Sequence, residues 1–411
     1  MTDAPPAARR WSVLAVLTGA YGLGAVGMLG VSPLTPSLMD GFGLSRLEVA
    51  FIVPSVYIGG LLFSLPGGHL ADRWGVRPTL LGALMMGGAG LLGAAGAPSF
   101  LAFLAGLILA GCGWSVVNPT LGKAIVDVFP AHERGIAMGI KQMGLTLGGM
   151  LAALVLPQIA ASYGWRAAVV ACAGAVMLPV AFAWRPLAPL GRPHTVAAGG
   201  RSGMSWWWAT RPALLVLFAA GVVLGMVQSA LLAYLPVFAV QALGYSAVGA
   251  GMLIATSQAG GAVARLGLGA ASDRWLDGRR PPWLVLTSGL AALVFLVYAL
   301  IPTSVPVWAG TLAFVAGVGA YGWVGIYFII SAEAGGSRHS GLLSGVSFAA
   351  IVVGLLTGAP IFGLVLDASD SYTAAWSVFA AAAGLVAIMV AAFSTSIDRE
   401  CRAVVSFDRV P

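Results

Sequence analysis

Apolar residues are gathered in long blocks, and the polar and turn-forming residues fall between the blocks. From Trp11 nearly to the C-terminus the blocks recur at about 20 residues each, the length an α-helix needs to cross the ~30 Å hydrocarbon core of a bilayer. Twelve can be marked, at 12–38, 47–69, 79–96, 101–126, 136–160, 167–184, 212–239, 247–270, 283–301, 305–332, 341–366 and 373–394. The pattern predicts an all-α integral membrane protein with twelve transmembrane helices. The first block is too long, and too closely followed by others, to be expected as a cleaved signal peptide.

Composition agrees: 59% of the residues are apolar and 9% charged, against roughly 25% charged in a typical soluble domain. The formal charge of +7 raises the question of nucleic acid, and the placement of the charge answers it. With both termini cytoplasmic, the inner side takes Arg9, Arg10, Arg73, Arg77, Arg134, Arg185, Arg192, Arg201, Arg211, Arg274, Arg279, Arg280, Arg338, Arg399, Arg402 and Arg409, while the outer side takes only Arg46 and Arg166. That asymmetry is the positive-inside rule. It implies a lipid bilayer as partner, no nucleic acid, and a multi-pass location in the plasma (bacterial inner) membrane. Lys123, Lys141 and Arg265 remain, and all three fall within apolar blocks.

Between Trp184 and Arg211 the pattern breaks into a stretch rich in Pro, Gly, Arg and Ser, with six blocks on each side. The expected organisation is an N-terminal six-helix bundle at 1–184, a cytoplasmic linker at 185–211, a C-terminal six-helix bundle at 212–394 and a cytoplasmic tail at 395–411. Trp206 to Trp208, at the end of the linker, read as an interfacial aromatic anchor. The halves repeat. The segment "LSRLEVAFIVPSVYIGGLLFSLPGGHLADRW" from Leu44 aligns with "YSAVGAGMLIATSQAGGAVARLGLGAASDRW" from Tyr245, placing Asp72 on Asp273, Arg73 on Arg274 and Ser64 on Arg265. "DVFPAHERGIAMG" from Asp127 aligns with "EAGGSRHSGLLSG" from Glu333, which puts Gly148 on Gly354 further along. Two pseudo-symmetric six-helix bundles are therefore expected. One chain supplies both halves, so a functional monomer is expected as well.

"GGHLADRWGVRP" from Gly67 resembles the Gly-x-x-x-Asp-Arg-x-Gly-x-Arg signature between helices 2 and 3 of the major facilitator superfamily, and "GLGAASDRWLDGRR" resembles its weaker copy between helices 8 and 9. With twelve spans and a central linker, the resemblance covers essentially the whole chain. It implies that superfamily's fold and a secondary active transporter working by alternating access. The signature also has a physical reading: a small residue lets a neighbouring helix approach, and an acid at the cytoplasmic end can meet a helix N-terminus. The expected cytoplasmic gate comprises Gly68, Asp72, Arg73, Gly75 and Arg77, the copy Gly269, Asp273 and Arg274, and the acids Asp127 and Glu333 with Arg134 and Arg338 beside them. Its arginines are expected to bridge to acids ending other helices, so that breaking the bridges would open the inner side, with the fixing of loops and topology as the alternative.

Arg265 lies eight residues before Asp273, roughly 12 Å from that helix end. Gln258 and Gly261 share its face. An unpaired guanidinium at that depth costs at least ~2.5 kcal/mol, and no acid lies within a turn or two on the same helix. An incoming anion would satisfy it; so would backbone carbonyls or an acid from another helix. Lys141, seven residues after Arg134, reaches a similar depth in the fifth span, with Gly144 and Gly148 on its face. Its long stem could also carry the amine back toward the interface. Lys123 has Asp127 one turn later, and an i, i+4 pair accounts for it. Tyr21, Asn118, Gln142, Gln228, Tyr234, Tyr321 and Ser347 are the uncharged groups expected to offer hydrogen bonds to a substrate, each with helix-helix contact as the alternative.

"RLGLGAASDR" resembles the helix 8 segment of the monocarboxylate and oxalate/formate branches, in which the arginine corresponding to Arg265 contacts the substrate carboxylate. A small organic anion, a mono- or dicarboxylate, is what that resemblance implies, and Arg offers a carboxylate a planar bidentate fork. The usual proton carriers of related symporters are missing: Gly261 stands where an acid often precedes the arginine, Leu107 stands at the helix 4 arginine position, and the first span has no acid before Asp40. Exchange of one anion for another, or coupling through a less obvious group such as the substrate itself, is what their absence leaves open. Ser64 at the paired helix 2 position disfavours a nitrate/nitrite carrier, and "GLTLGG" in the fifth span lacks the Gly-Pro signature of drug/proton antiporters. Proton-coupled efflux of drugs or hydrophobic metabolites stays as the alternative, followed by a transporter-derived sensor. An enzyme is not expected, since no paired intramembrane carboxylates or Gly-x-Ser-x-Gly elbow appear. Cys112, Cys172 and Cys401 are far apart without metal or redox spacing, and neither metal nor cofactor is expected.

Overall fold

The structure, a computed structural model, describes residues 7–129, 133–183, 211–274, 279–300 and 308–407. These form α1 (Ala7–Leu29), a 3-10 turn (Ser32–Leu34), α2 (Thr35–Phe42), α3 (Arg46–Val49), α4 (Ile52–Trp74), α5 (Val76–Ala95), α6 (Phe100–Val128), α7 (Arg134–Tyr163), α8 (Trp165–Ala183), α9 (Pro212–Gln241), α10 (Ala247–Arg274), α11 (Pro281–Leu300), α12 (Ala309–Ser369) and α13 (Tyr372–Phe407). There is no strand among the described residues, as expected of a chain that must satisfy its backbone polar groups within lipid. Twelve helical stretches are long and apolar enough to cross a membrane. The linker expected at 185–211 lies outside the described residues apart from Arg211, and Trp206 to Trp208 lie outside them too.

Local sequence explains most boundaries. Ser99 caps α6, its Oγ accepting from the Ala102 N–H. Gly75 and Gly164 join α4 to α5 and α7 to α8 with φ of 85° and 83°, a region that only glycine enters without strain. α6 ends at Val128 because Phe129, extended at φ −104° and ψ 136°, precedes Pro130, and a residue before proline is pushed out of the helical region.

The repeat partner of that break behaves differently. Two separate helices are expected around Glu333, but α12 runs helically for 61 residues and carries both spans, Ala309–Ser331 and Gly345–Ser369. Ser347 Oγ nevertheless donates to Ser331 Oγ at 2.6 Å. A straight helix would hold residues sixteen apart at about 24 Å, so the chain turns back between them while keeping its helical bonding. Gly336 stands where the first half has Pro130, and with no proline between Ser331 and Ser347 nothing removes a backbone donor.

The chain divides into two compact units, each described by itself. The first comprises 1–45, 51–199 and 246–255; the second comprises 46–50, 200–245 and 256–411. In the first unit a Cβ on Gly59 would overlap the Ile108 carbonyl oxygen, and one on Gly111 would overlap that of Val56. In the second, Gly260 stands in the same relation to Phe314 and Gly317 to Ser257. Each of these residues is the repeat partner of its counterpart under the Leu44/Tyr245 and Asp127/Glu333 alignments. Gly148 against Gly22, and Gly354 against Val222, repeat the pattern for another helix pair. Lipid supplies no hydrophobic drive between helices, so small residues that admit backbone contact carry the association. The second unit adds an aromatic core in which Trp376 packs against Phe238, Phe295, Tyr298 and Phe362.

Candidate functional site

In the first unit the candidate residues meet around Lys141 on α7. Gly144 and Gly148 lie against the α1 backbone at Thr18 and Gly22, so Tyr21, between those two positions, is brought close to the Lys141 side chain. Lys141 is 4% exposed, its Nζ donates to Asn118 Oδ1 at 2.6 Å, and it stands 4.7 Å above the centre of the Tyr21 ring. Among the described residues no carboxylate forms an ion pair with Lys141; its partners are a neutral amide oxygen and an aromatic face. Both favour a cation, through a charge-assisted hydrogen bond and the ring quadrupole, while leaving the net charge in place. Gln142, the next residue on α7, is exposed and takes no part in this cluster. Trp114 does: it stacks on Tyr21 with ring centres 5.1 Å apart and planes at 11°. Within an apolar block its indole carries no signal that distinguishes it from a packing residue.

In the second unit Arg265 of α10 donates from Nε to the Tyr321 carbonyl oxygen at 3.0 Å, using one of the five N–H donors of the guanidinium. The alternative of a carbonyl-bonded arginine is thus part of the geometry. Gly261, one turn earlier, faces the Tyr321 side chain, and any Cβ there would run into that ring. An acid at 261 would compete with Tyr321 for space, which accounts for its absence in steric terms. Gln258, 6% exposed, lies two turns from Arg265 on the same face.

Two other candidates are placed in separate clusters of the second unit. Ser347 is engaged with Ser331. Tyr234 donates to the Arg46 carbonyl oxygen at 2.8 Å and stacks on Phe362 with centres 4.4 Å apart. Beside it Arg46 Nη1 meets Asp370 Oδ1 at 2.5 Å.

The expected gate is described in part. The side chains of Gly68's neighbourhood, Asp72, Arg134, Gly269, Asp273, Arg274 and Arg338 lie outside the described residues. Arg73 and Asp127 are exposed and Arg77 is half-buried. Glu333 is bonded by Arg280, at 3.3 Å from Nη2 and 3.4 Å from Nε. Arg280 is the last residue of the copied signature "GLGAASDRWLDGRR", although it is not among the gate residues expected from it. Glu133, just before α7, pairs with Arg10 at 3.5 Å.

Residues 14–351 match the family model of the Major Facilitator Superfamily. The mouse (Mus musculus) protein named monocarboxylate transporter 11 is 27% identical over 398 residues, covering 90% of this chain and 83% of the relative. A hexuronate transporter of Bacillus subtilis is 29% identical over 136 residues, 33% of this chain and 32% of its own. Among solved structures, a bacterial homolog of the human lysosomal transporter Spinster, inward-facing and unoccupied, shares the fold with a TM-score of 0.71 at 15% identity over 98% of both chains. The chain belongs to the Major Facilitator Superfamily and is a multi-pass membrane transporter, not an enzyme.

Proposed function

We propose that this transporter carries a small organic anion, a mono- or dicarboxylate, by alternating access. The observation that carries the reading is Lys141: a cation buried in a membrane-spanning helix whose described partners are neutral. A charge held in this way costs several kcal/mol, and buried ionisable groups in spans mark substrate or ion pathways. A carboxylate supplies the missing countercharge. Arg265, within a membrane-spanning helix of the second unit, is a further cation, and its planar fork suits a carboxylate oxygen pair. The likeness to a relative named for monocarboxylates over 90% of the chain supports the same class.

Exchange of one anion for another is the coupling we favour. No acid accompanies Lys141 among the described residues, and Tyr321 fills the space beside Gly261 where an acid would sit. The positive-inside count supports cytoplasmic termini. The test is counterflow in proteoliposomes with labelled carboxylates, their amide analogues and organic cations. Carboxylates are expected to exchange while the amides and cations do not. Transport of the neutral or cationic compounds in their place would refute the anion reading.

A further inference from the structure

Lys141 raises a mechanical question. A lysine carries a flexible four-carbon stem worth about 2 kcal/mol of rotamer entropy, and within a span it tends to reach for the interface. Something must hold its ammonium beside Asn118. The Tyr21 ring does so from below, at 4.7 Å. A tyrosine ring can itself turn, and this one is held by Trp114, stacked nearly parallel to it at 11°. Trp114 is in turn backed by α1: a Cβ on Gly24 would stand 3.1 Å from its Cζ3, with Leu84 at 3.5 Å from the same point. Gly24 is one turn beyond Tyr21, so a single stretch of α1 supplies both the ring under the lysine and the space behind the indole.

We infer that Trp114 is a positioning residue for Lys141: the Trp114–Tyr21 stack sets where the ammonium stands, and thereby tunes affinity for the transported anion without touching it. The inference rests on the proposed function for its consequence in transport, but its geometric core does not. A ring face under an ammonium contributes more when desolvated, as here, than at a surface. Tilting the ring by removing the indole would release the lysine toward water and weaken anion binding, leaving the later steps of the cycle alone.

Two measurements test this separately. Lys123 and Lys141 are the only lysines in the chain, so in a Lys123→Arg background with lysine labelled at Cε the spectrum holds a single side-chain signal. The ring current of Tyr21 should shift that signal upfield. The shift should persist in Trp114→Phe and Tyr21→Phe, fall clearly in Trp114→Leu and vanish in Tyr21→Leu. An identical signal in wild type and Trp114→Leu would overturn the inference, whatever the substrate. In proteoliposomes Trp114→Leu should raise KM for the anion roughly three- to tenfold with kcat changed less than twofold, the scale of a desolvated cation–π contact. Trp114→Phe should restore it, and in a Lys141→Gln background Trp114→Leu should add nothing. An equal rise in KM with and without Lys141 would mean that Trp114 acts by another route, against the inference. If the resonance behaves as expected while wild type carries no anion, the functional reading fails and the positioning stands. Should Trp114→Leu fail to fold, Trp114→Met, which keeps apolar bulk without a ring, takes its place with the same expected and contrary outcomes.

Discussion

Asp398 Oδ2 accepts a hydrogen bond from Arg279 Nε at 2.6 Å, which ties the end of the last helix to the start of α11. From residue 395 onward α13 continues helically as far as Phe407. It is docked by three further contacts: Glu400 pairs with Arg211 at the entry to α9, Ile397 is fully buried, and Cys401 packs against the cluster of Leu214, Phe218, Ala334 and Leu343. Arg211 directly precedes α9 and Arg279 lies just before α11, so the two carboxylates tie α13 to the starts of both helices.

From this docking we predict that Asp398→Asn lowers stability by about 1 kcal/mol, because Asp398 is largely enclosed while Arg279 is partly open to water and screened. Thermal unfolding in detergent reads the change. Exchanging the two charges, Arg279→Asp with Asp398→Arg, should recover most of it. A melting temperature indifferent to the single change would show that the Glu400–Arg211 pair and the apolar contacts of Ile397 and Cys401 seat the helix without it.

The exposed pair Arg46–Asp370 makes a contrasting case. The Asp370 side chain is 88% exposed, and ion pairs of that kind contribute roughly 0–1 kcal/mol. Asp370→Asn should therefore shift the melting temperature little, and less still in high salt. A loss larger than that of Asp398→Asn would reverse this ranking.

Helix contact at Gly148 should tolerate no side chain. A Cβ there overlaps the Gly22 carbonyl oxygen, a backbone atom that cannot swing aside, so Gly148→Ala should cost about 1–3 kcal/mol through forced separation of α1 and α7. Gly354→Ala, its repeat partner against Val222, should behave alike. Gly93, with nothing within 4 Å of its Cβ position, is the control, and Gly93→Ala should be neutral or gain up to about 1 kcal/mol from helix propensity. Equal effects at the three positions, read by thermal unfolding, would contradict the close-packing account.

How far these features could be read beforehand differs by kind. Spans were legible because a bilayer imposes length and apolarity, a constraint written locally in the residues. The duplication was legible from Asp72/Asp273 and Asp127/Glu333, and the glycine contacts follow the same register. The gathering of Tyr21, Asn118 and Lys141 was named residue by residue but not as a cluster, since helix rotation and tilt come from packing that no single helix specifies. Trp114 was missed for the same reason. Tyr234 reads as a ligand candidate by its hydroxyl, yet that hydroxyl is used by the Arg46 carbonyl, a residue 188 positions away. Glu333 was expected to find an arginine, and the one that meets it, Arg280, closes the copied signature without being among the gate residues expected from it.

The measurement closest to the central claim is counterflow of a labelled carboxylate through wild type, Lys141→Gln and Arg265→Gln, each purified and reconstituted in equal amount. The account predicts exchange by wild type and a loss of at least tenfold in kcat/KM for both variants, equivalent to about 1.4 kcal/mol or more of binding in the pathway. Undiminished carboxylate exchange by both variants would contradict it.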